Sequence, residues 1–207
     1  HVDIEREDNE IISQKLIPTT SGKLEDRFLI VLDEAGSGKT TTIKRIAHNL
    51  AKSGKPVLSL CTSSRINTEA AIACLSHAET DIVLIVDHLA DHIDQIMQIL
   101  GNKEVSKRII ILAAERSYRK EFLDIVLGQY PTTVINLLPM RTSVVLPLIE
   151  RYNRYGLVAN PQALKKPSEF ARKLLREPIA IAVCRILNDF RPIENIINSL
   201  WEATKED

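Results

Sequence analysis

The chain has 207 residues, which suits one domain, or one domain with a small appendage. Its composition, 44% apolar and 26% charged, is typical of a globular protein. Lys+Arg and Asp+Glu are equal at 27, so the charge balance does not indicate nucleic acid or an anionic membrane as a partner. There is no signal peptide and no apolar run long enough to span a bilayer, so we expect a cytoplasmic protein.

The first 140 residues predict an α/β architecture. Residues 1–27 are polar and acidic, and they predict a short helix or linker followed by an extended lead-in that includes Ile17-Pro18. Five apolar runs then follow without polar alternation, as is typical of parallel strands covered on both faces. The runs are Phe28–Leu32, Pro56–Cys61, Asp81–Asp87, Arg108–Ala113 and Thr132–Leu137. Helical patterns separate them, at Thr41–Lys52, Asn67–Ser76, Asp91–Gly101 and Tyr118–Leu127. The alternation predicts a three-layer sandwich around a mainly parallel five-stranded sheet.

After Met140 the strand pattern is replaced by helical patterns, several of which open with Ser, Thr or Pro. We therefore predict three segments: an N-terminal helix or linker with its lead-in (1–27), an α/β core (28–140) and a small helical subdomain (141–207). The chain begins with His1 rather than methionine, so we expect it to be a piece of a longer protein.

The three cysteines, Cys61, Cys74 and Cys184, show no metal-ligand spacing. Cys61 ends an apolar run, and the other two lie in apolar helical stretches. These positions predict buried, reduced thiols.

A glycine-rich segment, Gly36–Thr41 with the sequence GSGKTT, directly follows the first apolar run. A buried strand, a glycine turn and then a helix form the arrangement that binds nucleotide phosphates, because backbone N–H groups and the helix dipole point at the anion. Lys39 would reach the β and γ phosphates, and the Thr40 hydroxyl would ligate Mg²⁺. The predicted phosphate-contacting residues are Ala35, Gly36, Ser37, Gly38, Lys39, Thr40 and Thr41.

Asp33 departs from this phosphate-loop pattern, which has glycine five positions before Gly38. Aspartate adopts a positive φ more readily than most residues, so the turn remains feasible. Its carboxylate would weaken phosphate binding unless it points away or accepts a bond from a neighbouring N–H. The alternative is a strand–helix turn that binds nothing.

The run Ile82–Asp87 is an apolar strand that ends in a carboxylate, about fifty residues after Lys39. In phosphate-loop proteins such an acid binds the Mg²⁺ shell opposite the loop hydroxyl, here Thr40. A second acid usually follows and polarises the attacking water, but this chain has His88 there. A neutral imidazole could act as the base, and Asp91 could substitute, although Asp91 more simply caps the next helix. We therefore expect slow hydrolysis or none.

The run 108–116 is a strand with a polar and basic tip, Glu115-Arg116. If this strand lies between the two phosphate-site strands, Arg116 is near the γ-phosphate and can report its presence. The alternative is a surface arginine paired with Glu115 or Glu121.

With these motifs in this order, the chain resembles the STAND class of P-loop NTPases, which includes NACHT and NB-ARC switch domains. The resemblance covers about residues 15–203. A fourth element is residues 176–181, which resemble the Gly-x-Pro segment that begins a helix in the helical lid of that family. Arg176 stands where the family has glycine, and the matching Pro178 would pack near adenine or help to hold ADP. A proline in the first turn of a helix also needs no ligand.

The resemblance implies a regulatory switch that binds ATP or ADP with Mg²⁺ and hydrolyses ATP slowly. ADP would hold the lid against the core, and exchange for ATP would permit homo-oligomer assembly. Sensor and effector domains would lie elsewhere in the same chain, and many such proteins act in immunity or antiphage defence.

Three other interpretations remain open. Asp33 and His88 favour a non-hydrolysing or nucleotide-free assembly scaffold. An AAA+-like motor would need an acidic pair after Val86, which is missing. A small-molecule phosphotransferase would need paired arginines in a lid, and Arg116 with Arg119 alone does not establish them.

Overall fold

A computed structural model describes residues 4–16, 27–60, 66–158 and 160–204. They form two compact units. The core unit takes its described residues from Glu7–Glu34 and Lys39–Leu137. The helical unit takes them from His1–Arg6, Ala35–Gly38 and Leu138–Asp207. The three sequence segments with boundaries at 27 and 140 remain a prediction.

The core unit is built on one five-stranded sheet. Its strands are β1 (Phe28–Asp33), β2 (Val57–Ser59), β3 (Ile82–Asp87), β4 (Ile109–Arg116) and β5 (Thr132–Asn136). Every pairing is parallel, and the order across the sheet is β2-β3-β4-β1-β5. Strand β4 therefore lies between β1, which leads into the glycine loop, and β3, which ends in Asp87. This confirms the predicted fold class and the central position of the strand that ends in Arg116.

Helices cover both faces of this sheet. They are α1 (Glu7–Lys15), α2 (Lys39–Lys52), α3 (Thr68–Ser76), α4 (Leu89–Leu100), α5 (Lys103–Ser106) and α6 (Lys120–Leu127), with a 3₁₀ turn at Ser117–Arg119. Side chains of the central strands alternate between two buried clusters, as two-sided burial requires. One cluster, with α4, contains Ile30, Leu32, Val86, Ile111 and Ala113. The other, with α2, contains Leu29, Val31, Ile85, Leu112 and Ala114. This alternation decides which face each strand-end side chain occupies.

Element ends differ from the sequence prediction by a few residues, and three differences bear on function. Helix α2 begins at Lys39 rather than Thr41, and α4 begins at Leu89 rather than Asp91. Strand β4 continues to Arg116 because Ala114, Glu115 and Arg116 stay in register with β1. A polar tip looked like the end of a strand in the sequence, but the ladder extends through it.

Helix α5 was not predicted. Its N-cap, Asn102, accepts hydrogen bonds from the backbone N–H groups of Glu104 at 3.1 Å and Val105 at 3.2 Å. One turn of helix is too short to produce a hydrophobic period, so only the cap could have indicated it.

The helical unit consists of short helices. They are α7 (Thr142–Arg154), α8 (Pro161–Lys165), α9 (Pro167–Arg172), α10 (Ile179–Leu187) and α11 (Ile193–Ala203). Their apolar faces enclose a core that includes Val145, Leu148, Ala171, Leu174 and Ile186. Phe170 and Phe190 meet edge to face in it, with ring centroids 4.7 Å apart.

The thiol prediction is partly wrong. Cys74 is exposed and Cys184 is half-buried, while Cys61 and the Ile17-Pro18 lead-in lie outside the described residues. Only Leu75 is buried in α3, so the apolar stretch around Cys74 lies largely at the surface. Across the described ranges, no helix combines the length and apolar character needed to cross a bilayer.

Candidate functional site

Lys39, the first residue of α2, lies among the charged groups at the carboxyl ends of β1, β3 and β4. Its Nζ donates to the backbone carbonyls of Asp33 at 3.1 Å and Glu34 at 2.6 Å. Burial lowers the pKa of Lys39 from its ordinary value, and the nearby Asp33 carboxylate acts in the opposite direction. Arg116 lowers this pKa as well, and Asp87 raises it. Three groups that the sequence singled out, Asp33, Asp87 and Arg116, therefore lie within electrostatic range of the Lys39 ammonium.

Thr40 and Asp87 are in direct contact. The Thr40 hydroxyl donates to Asp87 Oδ2 at 2.9 Å, which brings the start of α2 to the end of β3. Hydroxyl and carboxylate oxygens are the hard ligands that Mg²⁺ prefers, so this pair fits the predicted ion. No group of three or more His, Cys, Asp or Glu that could hold a metal occurs in the described residues. Mg²⁺ at a phosphate loop does not need one, because phosphates and waters complete its shell.

Asp33 does not take up the left-handed conformation that would replace glycine. Within the described ranges it is absent from the residues with positive φ. Its Oδ1 accepts a hydrogen bond from the backbone N–H of Glu34 at 2.7 Å. Of the two arrangements compatible with a phosphate loop, the structure has the one in which the carboxylate is bound to a neighbouring N–H.

Arg116 is exposed at the tip of β4. Alternation along the strand places it on the α2 face, together with Leu112 and Ala114. Among the described residues Arg116 has no ion pair, and Arg119 is the arginine close to Glu115, at 3.7 Å. The alternative that Arg116 is paired with Glu115 or Glu121 is therefore wrong.

The two candidate bases after Asp87 are placed differently. His88 is exposed and left-handed, with φ of 55°, at the N-cap of α4, and its side chain makes no capping bond. Asp91 does not cap the helix, since it lies inside the first turn and forms an ion pair with Arg119. The hydrogen bond from Arg119 to Asp91 raises the pKa of Arg119 above its ordinary value.

In the helical unit, the glycine loop (Ala35–Gly38) packs against the start of α10. Gly36 and Gly38 have φ of 76° and 98°, which L side chains rarely adopt. The Ala180 N–H donates to the Gly36 carbonyl at 3.0 Å. A Cβ built on Gly36 would lie 3.0 Å from Ala180 Cβ, and one on Gly38 would lie 3.2 Å from Ile179 Cγ2. Pro178, the N-cap of α10, is 4.0 Å from the same built Cβ of Gly36. Space beside these glycines is thus filled by α10.

Arg6 is a loop-contacting residue that the sequence did not indicate. It is only 8% exposed, and it donates to the carbonyls of Ser37 at 3.0 Å and Leu138 at 2.6 Å. The guanidinium therefore fixes the backbone of the glycine loop within the helical unit. No motif could have found it, because a lone arginine in an acidic segment shows nothing of a contact 31 residues away.

Arg176, which stands where the STAND pattern has glycine, adopts the conformation that glycine adopts freely, with φ of 68°. Its side chain is exposed, and its N–H donates to the Met140 carbonyl at 3.3 Å. The backbone at this position thus keeps the glycine-like geometry although the side chain has changed.

Replacing Arg176 with glycine is expected to stabilise the protein by about 0.5 to 1 kcal/mol, since relief of left-handed strain outweighs the added freedom of the unfolded chain. Urea unfolding measures this. Lys44→Gly, at an exposed helical position in α2, is the control and should destabilise by about 1 kcal/mol. A loss of stability in both variants would show that Arg176 is not strained.

The parallel order β2-β3-β4-β1-β5, the glycine loop between β1 and α2, and the Thr40–Asp87 pair define a P-loop NTPase. Within that class, the chain belongs to the family described as Novel STAND NTPase 5 (nSTAND_NTPase5), whose model matches residues 1–121. No curated protein matches the chain.

Solved structures with a similar fold are AAA+ and related P-loop ATPases. An S. cerevisiae Hsp104–ADP complex has a TM-score of 0.61 at 13% identity, over 89% of this chain and 30% of that one. AMPPCP-bound DnaA from Aquifex aeolicus has a TM-score of 0.54 at 16% identity, over 97% and 68%. A Thermotoga maritima RuvB mutant has a TM-score of 0.57 at 15% identity, over 87% and 60%. The chain spans less than two thirds of Hsp104 and RuvB, and at these identities the likeness concerns the fold alone.

Proposed function

We propose that this chain is the ATP- and ADP-binding switch domain of a larger signalling or defence protein, and that it controls homo-oligomer assembly. The observation that carries the proposal is the hydrogen bond from Ala180 to the Gly36 carbonyl, because it ties the glycine loop to α10 inside the helical unit. A ligand on that loop would act on α10 directly. Sensor and effector domains would belong to other parts of the protein.

The nucleotide would be held by its phosphates. Backbone N–H groups of 35–41 would cradle them, and Lys39 would turn its ammonium from the Asp33 and Glu34 carbonyls to the β and γ oxygens. The Hsp104–ADP and AMPPCP–DnaA complexes support nucleotide as the ligand class. Pro178 would lie near the base or help to hold ADP.

Thr40 and Asp87 would hold Mg²⁺, which supplies charge neutralisation at the β and γ phosphates when bound. Asp87 would do so through water. Its bond to the Thr40 hydroxyl keeps Asp87 Oδ2 and Thr40 Oγ1 next to each other. Arg116, on the same face of the sheet, would sense the γ-phosphate.

Hydrolysis would be slow because no acid is poised as a base at the expected position. His88 is exposed at the end of β3, and the carboxylate of Asp91 is engaged by Arg119. A slow reaction suits a switch, since the bound state must outlast assembly. Suppose the two conformers stand at 1:99 with ADP bound and at 99:1 with ATP bound. The ratio of affinities for the two conformers must then differ by about 10⁴-fold between ATP and ADP.

The test is to denature purified protein and identify any released nucleotide by ion-exchange chromatography. We expect ADP near one equivalent from the unmodified chain and none from Lys39→Ala, because the loop then lacks its cation. Lys44→Ala, at an exposed site on the same helix, is the matched control and should keep its ADP.

A scaffold that binds no nucleotide is the second candidate. It is favoured by the bonds of Lys39 to two loop carbonyls and by Asp33 at the glycine position. If the protein releases no nucleotide and takes up neither added ATP nor ADP, the scaffold replaces the switch.

A further inference from the structure

Glu115 is a buried carboxylate that no motif explains. It is 1% exposed at the tip of β4, where its neighbours along the chain, Ala114 and Arg116, face α2. Alternation therefore places Glu115 on the opposite face, with Ile111 and Ala113. Asp87 lies on the α2 face, because Ile85 does and Val86 does not. Glu115 and Asp87 thus lie on opposite faces of the sheet.

The two oxygens of Glu115 bind two different backbone N–H groups. Oε2 accepts from Ala90 at 2.8 Å, and Oε1 accepts from Arg116 at 2.7 Å. Arg119 lies 3.7 Å from Oε2 and supplies a counter-charge. Such charge-assisted bonds are about twice as strong as neutral ones, and a carboxylate at a helix N-terminus gains further from the dipole.

Ala90 is three residues after Asp87, on the far side of an unusual turn. Between them, His88 is left-handed with φ of 55°, which is costly for a residue other than glycine and persists only where surrounding contacts hold it. The bond from Ala90 to Glu115 is such a contact. It joins the tip of β4 to the first turn of α4, directly after the turn that follows Asp87.

We propose that Glu115 is a positioning residue for the nucleotide site: its single carboxylate holds both the turn that carries Asp87 and the backbone that carries Arg116. The inference rests on the proposed function of the site. Glu115 is not the missing base, since it is enclosed on the wrong face and both its oxygens are engaged. Through it, the Mg²⁺ ligand and the γ-phosphate sensor would shift together.

Glu115→Gln tests the proposal, because the amide keeps the shape but turns an NH₂ group toward one of the two N–H donors. The control is Ile111→Ala, on the same strand and face, which weakens packing but keeps the Glu115 carboxylate that accepts the Ala90 and Arg116 N–H groups. A fluorescent ATP analogue is titrated with Mg²⁺ and with EDTA. We expect Glu115→Gln to weaken binding about tenfold or more in Mg²⁺, as supporting partners of metal ligands do, and less than about twofold in EDTA. Ile111→Ala should leave the affinity for the analogue unchanged both in Mg²⁺ and in EDTA.

Amide hydrogen exchange in the nucleotide-free protein gives a second readout. Peptides covering 88–92 should exchange faster in Glu115→Gln than in Ile111→Ala at matched stability. If Glu115→Gln does not fold, Glu115→Asp replaces it, because the shorter carboxylate cannot reach both donors. Equal exchange in variant and control overturns the inference, and so does an affinity for the analogue in Mg²⁺ that Glu115→Gln leaves unchanged. If the unmodified chain binds no nucleotide, the proposed function and the nucleotide-site role of Glu115 both fail, while exchange still reports whether Glu115 holds the turn.

Discussion

Replacing Arg185 with methionine is expected to lower the free energy of unfolding of the helical unit by about 3 kcal/mol, since hydrogen bonds to charged groups contribute about 1.5 to 3 kcal/mol each and are not additive. Arg185, on α10, donates to the carbonyls of Lys173 at 2.8 Å and Arg191 at 3.0 Å, and it pairs with Glu177. Methionine fills similar space but leaves Glu177 without its partner. The guanidinium also reaches the Phe190 carbonyl at 3.4 Å.

This last contact explains why the loss should spread beyond α10. Asp189 and Phe190 are consecutive left-handed residues, with φ of 56° and 59°, so the chain after α10 is strained. The backbone carbonyl of Arg185 accepts the Phe190 N–H at 2.7 Å. The side chain of Arg185 donates to the carbonyls of Phe190 and Arg191. One residue, Arg185, therefore holds the backbone of this left-handed pair.

Urea unfolding followed by tryptophan fluorescence is suitable, because Trp201 lies in α11 of the same unit. Arg172→Met, at an exposed position on α9, is the control and should change stability by less than about 0.5 kcal/mol. Equal losses in the two variants would mean that the Arg185 contacts contribute nothing beyond an ordinary surface arginine.

The architecture could be predicted because it depends on long-range pattern. The central strands are apolar without alternation, and they are buried on both faces, so period and order were enough to identify them. Element ends were less predictable because single contacts decide them. Strand β4 runs on through Glu115 since its carboxylate is satisfied by N–H groups, and α4 starts at Leu89 because His88 accepts a left-handed turn.

The candidate site divides in the same way. Lys39, Thr40 and Asp87 were indicated by motifs whose spacing reflects ligand geometry, and the structure brings them together. Their roles toward nucleotide stay a prediction. Arg6 and Glu115 could not be predicted, because what matters in each is a backbone partner distant in sequence. A sequence shows which side chains are present, but it does not show which carbonyl or N–H they will meet.

Gly36→Ala is expected to destabilise the helical unit by about 2 to 4 kcal/mol, from left-handed strain of about 1 to 2 and overpacking of about 1 to 3. The new methyl would lie 3.0 Å from Ala180 Cβ, which is tighter than nine in ten contacts of real Cβ atoms. Because that methyl belongs to the start of α10, either the loop or the helix must shift, and the bond from Ala180 to the Gly36 carbonyl weakens.

Two further variants separate strain from collision. Gly156 has φ of 68° and nothing within 4 Å of a built Cβ, so Gly156→Ala should cost only the strain of about 1 kcal/mol. Ala180→Gly removes the opposing methyl, and combined with Gly36→Ala it should recover about 1 to 2 kcal/mol as a coupling energy. Urea unfolding of the unmodified protein, Gly36→Ala, Ala180→Gly and the double variant supplies the four free energies of this cycle. A coupling near zero would show that the loop and α10 do not press on each other, and the proposed route from a ligand on the loop to α10 would lose its physical basis.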